Sequence, residues 1–177
     1  DSYDYLKGSL LKSFQHSDLL VGLNIDAMTT DPHDWQDEDW RLYAGFLNVP
    51  RDSVISHRTS LSARNRSEYF QDIPRSGDLF LDPDTGRATG RVREKEKYVY
   101  PIEVTQLLIG SRIVVVYQHN SRGKIDRRVN DVVVAVKAVS LSVYCVSYEA
   151  TNGAILFFSQ SLNRIQAMRD TFDVGLA

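Results

Sequence analysis

Short apolar runs alternate along this chain with stretches whose apolar residues recur every three or four positions. Tyr3, Leu6, Leu10, Leu11 and Phe14 have helical spacing and predict a helix over 3–14. The run 19–27, Leu-Leu-Val-Gly-Leu-Asn-Ile-Asp-Ala, predicts a first strand that ends in a polar turn. Trp40, Tyr43, Ala44 and Leu47 share one face of a helix predicted over 37–47, with Asp37 or Asp39 as its cap. A short extended piece at 53–56 and a helix over 64–72 lead to a strand at 78–81. There Leu79, Phe80 and Leu81 form a continuous apolar run, the pattern of a strand buried on both faces. Pro101 suits the first turn of a helix running to about residue 109. The β-branched run 112–117 predicts a strand that ends at the polar Gln118-His119-Asn120. A helix over 126–138 turns Val129, Val132, Val133, Val136 and Val139 inward. Strands at 141–149 and 154–160 flank Asn152-Gly153, a hairpin signature. A last helix over 162–172 sets Ile165, Met168 and Phe172 on one side.

Strands that alternate with helices and then close on a hairpin predict one three-layer α/β sandwich over 1–177. Its sheet is expected to be mostly parallel with a C-terminal antiparallel hairpin. A length of 177 residues suits one domain with a full core. No apolar run approaches the roughly 18 residues that span a bilayer, so no membrane partner is expected. Cys145 is the single cysteine and lies in an apolar run, which excludes an internal disulfide and reads as a buried structural thiol. A cytoplasmic setting is the expectation.

In open α/β sheets, ligands bind beyond the carboxyl ends of the strands. Three predicted strand ends offer Asp26 with Asp31 and His33, Asp82 with Asp84, and His119 with Asn120. Histidine and carboxylates in such a crevice suit acid–base chemistry or metal binding. The same residues also suit plain turns and helix caps, Asp82-Pro83-Asp84-Thr85-Gly86 above all. A formal net charge of −2 gives no global attraction to nucleic acid, yet basic residues cluster at 58–66, 87–97 and 122–128. Each cluster is either a solvated face or a phosphate-contacting patch. Trp35, Trp40 and the tyrosines read as core or rim residues in preference to base-stacking platforms. No Gly-x-Gly-x-x-Gly, Walker loop or Gly-x-Ser-x-Gly elbow occurs. A metal-dependent nuclease or phosphohydrolase using Asp82, Asp84 and His119 is an alternative. However, neither lysine of Arg93-Glu94-Lys95-Glu96-Lys97 has an acid two places before it, as the Pro-Asp…(Asp/Glu)-x-Lys pattern requires. A non-catalytic binding module is a third reading.

Three pieces taken together are more specific. They are Asp1-Ser-Tyr-Asp4-Tyr5-Leu6-Lys7, Asp78-Leu-Phe-Leu-Asp82-Pro83-Asp84-Thr-Gly86, and Val115-Val-Tyr117-Gln118-His119 followed by Arg122. Their order and spacing resemble a little-characterised bacterial and phage family with a Rossmann-like, methyltransferase-type core. That family is distantly similar to the 23S ribosomal RNA adenine-N6 methyltransferases. The resemblance implies an S-adenosylmethionine site with Asp4 and Lys7 near the cofactor, and Asp82 and Pro83 at the target amino group. From their place at the predicted strand ends, and not from the resemblance, Asp26 and Asp31 are expected on the cofactor side and Asp84 and His119 on the catalytic side. The basic segment from Arg87 to Lys97 would contact nucleic-acid phosphates. The chain has Gly8 where the methyltransferase motif has histidine, and Asp84-Thr85 where it has Pro-Tyr.

Overall fold

In the computed structural model, residues 2–30, 35–55, 61–62, 65–83, 97–119, 125–150 and 153–175 are described. They build six helices and a five-stranded sheet. The helices are α1 (Ser2–His16), α2 (Asp37–Phe46), α3 (Arg66–Gln71), α4 (Pro101–Leu107), α5 (Ile125–Val139) and α6 (Leu162–Gly175). The strands are β1 (Asn24–Asp26), β2 (Leu79–Leu81), β3 (Val114–His119), β4 (Tyr144–Ala150) and β5 (Gly153–Ser159). Their order across the sheet is β1-β2-β3-β5-β4.

The sheet is mixed, which corrects the expectation of a mostly parallel one. β1 with β2 and β2 with β3 pair in parallel, whereas β3 with β5 and β5 with β4 pair antiparallel. The cause is the C-terminal hairpin. It forms one edge of the sheet, with β5 beside β3, Val115 opposite Phe157, and β4 outermost, so two of the four strand pairings are antiparallel. Alternate strand residues feed two apolar clusters, as the period of two requires. Leu79, Leu81, Val114 and Val116 join side chains of α3, α4 and α5. Ile25, Phe80, Val115 and Phe157 join those of α1, α2 and α6.

Several predicted boundaries move. The first strand shrinks to Asn24–Asp26, because Gly22 adopts a φ of 58° and turns the chain before it. Gly22 meets Gly77, whose φ is 72° and whose added Cβ would stand 2.0 Å from the Gly22 oxygen. Of the extended piece expected at 53–56, Ser53 ends a 3-10 turn, Arg51–Ser53, Val54 makes a single parallel bridge with Ile25, and residue 56 lies outside the described residues. β3 runs through Gln118 and His119, which were expected beyond its end, because both pair in the ladder with β5. On α5, Val129, Val132 and Val136 are buried, but Val139 is 44% exposed at the helix end. Neither Asp37 nor Asp39 caps α2 directly. Gln36 is its N-cap, and the Asp39 carboxylate accepts the Gln36 N–H at 2.8 Å. Phe172 lies among the residues whose side chains are outside the description.

Candidate functional site

Because β1, β2 and β3 are parallel, their carboxyl ends lie on one edge of the sheet. Asp26 ends β1 and Asp82 follows β2 directly, its N–H donating to the Asp26 carbonyl at 2.9 Å. Register pairs Leu81 with Val116, so His119 lies two residues further along its strand than Asp82, roughly 7 Å.

A lysine from the first helix completes the centre. Lys7 Nζ donates to Asp82 Oδ2 at 2.7 Å and lies 2.8 Å from Asp4 Oδ1, one turn before it on α1. The Tyr43 hydroxyl, from α2, donates to the same Asp82 oxygen at 2.9 Å. Lys7 also sits 4.5 Å from the centre of the Tyr117 ring, which stacks edge-on against His119. The ammonium is thus held between two carboxylates and an aromatic ring while its residue is only 4% exposed. Burial alone would lower the Lys7 pKa, but Asp82 and Asp4 outweigh it and raise it. Burial would raise Asp4, but the Lys7 ammonium holds its carboxyl below the ordinary value. Tyr43 is pushed well above the usual phenol range, first by burial and then by the Asp82 charge, so it stays a donor.

α1 can reach this position because residue 8 is glycine. A Cβ at Gly8 would meet the Phe46 carbonyl oxygen at 2.1 Å and Leu47 Cα at 2.8 Å. The end of α2 occupies the space a larger side chain would need. No histidine fits there.

Asp26 is fully buried. Its Oδ1 accepts the Met28 N–H at 2.8 Å and the Tyr69 hydroxyl at 2.7 Å. It stabilises a turn in which Met28 has a φ of 48°, a backbone conformation that disfavours side chains. Pro83 is buried beside Asp82. Asp31, His33, Asp84, Asn120, Arg122 and the basic stretch 87–96 lie outside the described residues. Of the other basic positions, Arg66 is engaged by Glu103, with Nε 2.6 Å from Oε1, and Arg128 donates to the His119 carbonyl at 3.1 Å.

Sequence reasoning missed Tyr43 as part of this centre, placing it only on the buried face of its helix. It also missed Asp78, which sits at the opposite end of β2 from Asp82. Asp78 is 1% exposed and accepts from Val21 N at 2.7 Å, Ile113 N at 2.8 Å and Arg164 at 2.8 Å. It ties the amino ends of the strands to α6. A charged residue directly before a fully apolar strand is the one signal that pointed to it.

Comparison with protein-family profiles, with curated proteins and with solved structures finds no match.

Proposed function

We propose that this chain is a methyltransferase-like domain that binds S-adenosylmethionine or a related nucleotide at the carboxyl ends of β1 and β2 and acts on a nucleic-acid base. The observation that carries the reading is the Lys7–Asp82 ion pair at 2.7 Å. It joins the N-terminal segment and the Asp82-Pro83 turn, 75 residues apart, into the single centre that the resemblance implies. Helices packed on both clusters of the sheet, and parallel strands whose carboxyl ends meet, support a Rossmann-like core in the same sense.

The donor set favours one kind of cofactor. Lys7 is enclosed and already bound to carboxylates, whereas the Asp4 side chain keeps 21% of its surface open. A part-open carboxylate fits the amino or sulfonium group of S-adenosylmethionine better than the phosphate of an anionic nucleotide. S-adenosylmethionine would supply the methyl group. Asp82 would accept a hydrogen bond from the acceptor amino group and orient its nitrogen. The segment from Arg87 to Lys97 would contact phosphates. Among the described residues, which do not include Asp84, no three His, Cys, Asp or Glu side chains gather as a metal site.

Calorimetric titration of S-adenosylmethionine and S-adenosylhomocysteine tests the proposal. Saturable binding that weakens at least about tenfold in Asp4→Ala is expected, one charged hydrogen bond of about 1.5–3 kcal/mol. Asp82→Asn should keep the fold by circular dichroism and lose methyl transfer to nucleic acid. Absence of binding to either ligand, or transfer that survives Asp82→Asn, rejects the proposal.

A further inference from the structure

We infer that the cleft between α1 and α2 is a binding site for an organic cation, a methylated ammonium head group. The cleft is open to solvent and has a volume of about 380 Å³, at the lower end of the range of small-molecule sites. Asp4 lines it from α1, and Trp35, Asp39, Leu42, Tyr43 and Phe46 line it from α2 and the residue that leads into it. Three aromatic rings and two carboxylates thus stand together, with no lysine or arginine among these lining residues.

That combination selects a ligand class. An anion would face two carboxylates. A neutral apolar group would desolvate them without compensation. A cation with diffuse charge satisfies both parts: the rings attract it through their quadrupoles, and its methyl groups pack against the apolar wall. Lys7 Nζ is enclosed between Asp4 and Asp82, and Asp39 adds a further lining carboxylate.

The aromatic wall is held in place before a ligand arrives. The Trp35 ring lies 4.5 Å from that of Trp40 and 5.5 Å, edge-on, from that of Tyr43. Tyr43 is anchored on Asp82, and Tyr5 packs edge-on against Phe46 at 5.1 Å. Preorganised rings of this kind favour binding because little side-chain freedom is lost. Leu42 and Tyr5, 52% and 59% exposed, extend the apolar surface around the opening. The inference rests on these residues and not on the methyltransferase reading.

The test is a titration of choline into the intact chain, followed by tryptophan fluorescence and calorimetry. 3,3-Dimethylbutan-1-ol serves as the neutral isostere, and S-adenosylmethionine is titrated in parallel. Saturable choline binding is expected, about tenfold weaker for the isostere and in Trp35→Leu, as loss of a cation–π contact implies. Asp39→Asn, at an exposed position and still able to accept the Gln36 N–H, should weaken choline binding about threefold, as loss of a part-screened charge implies. No saturation by choline, equal affinity for the isostere, or indifference to both substitutions overturns the inference. Binding of S-adenosylmethionine without choline would reject this inference alone, and binding of choline without S-adenosylmethionine would reject only the proposed function.

Discussion

Replacing Gly8 by alanine tests how α1 is seated and therefore how Lys7 reaches Asp82. In most helices this substitution stabilises by about 1 kcal/mol, because glycine loses more backbone entropy on folding. Here the new methyl would stand 2.1 Å from the Phe46 carbonyl oxygen and 2.8 Å from Leu47 Cα. Neither obstacle is a flexible side chain, so relief requires α1 to retreat from α2 by roughly 1 Å in a packed interior. Overpacking of this kind costs about 1–3 kcal/mol, and a backbone obstacle puts it at the upper end. After the gain in propensity, a net loss of about 2 kcal/mol remains, or a Tm lower by about 4–8 °C for a chain of this size. Gly45 is the internal control. It lies in α2, and a Cβ there meets nothing within 4 Å, so Gly45→Ala should stabilise by about 0.5–1 kcal/mol. Urea denaturation followed by circular dichroism measures both. A Gly8→Ala protein as stable as the parent, or shifted in the same direction as Gly45→Ala, would refute the seating of α1 against α2.

Other expectations follow from the buried charges. Lys7→Met leaves Asp82 with Tyr43 as its remaining described partner and should destabilise by about 3–5 kcal/mol; chemical denaturation with a loss under 1 kcal/mol would refute it. The Asp4 contribution, from a depressed pKa, is present above the ordinary value of 3.8 and lost as pH falls through the folded value below it. The Lys7 contribution, from a raised pKa, is present in full below 10.5 and lost as pH rises through the folded value above it. Lys7→Met should therefore flatten the alkaline limb of a stability–pH profile, and an unchanged limb counts against the pairing. Asp78→Ala strips the acceptor from Val21 N, Ile113 N and Arg164 and should cost about 3–5 kcal/mol, with Asp78→Asn in between. The Cys145 thiol is pushed up to about 12 by burial. At pH 8 it should hold on the order of a thousandfold less thiolate than an ordinary thiol, so native labelling by a disulfide reagent should be slow and labelling in guanidinium fast.

The sequence determined whatever depends on local pattern. The apolar run Leu79-Phe80-Leu81 can be buried on both faces only in the interior of a sheet, and so it is. The valines of 112–117 favour extended backbone, and the three-and-four spacings of α1, α2, α5 and α6 favour helices whose apolar faces reach the sheet. It also marked Asp26 and Asp82 as strand-end carboxylates, because a polar residue that ends an apolar run is visible without any partner. Tertiary structure alone decided the rest. That β5 lies between β3 and β4, making the sheet mixed, rests on the long-range pairing of β3 with β5, which no local pattern encodes. Gly8 gave no sign in the chain of the α2 carbonyl it must clear. Lys7, Tyr43 and Asp82 are separated by 36 and 39 residues. Their convergence rests on α1 and α2 crossing the same end of the sheet, a long-range arrangement set by packing.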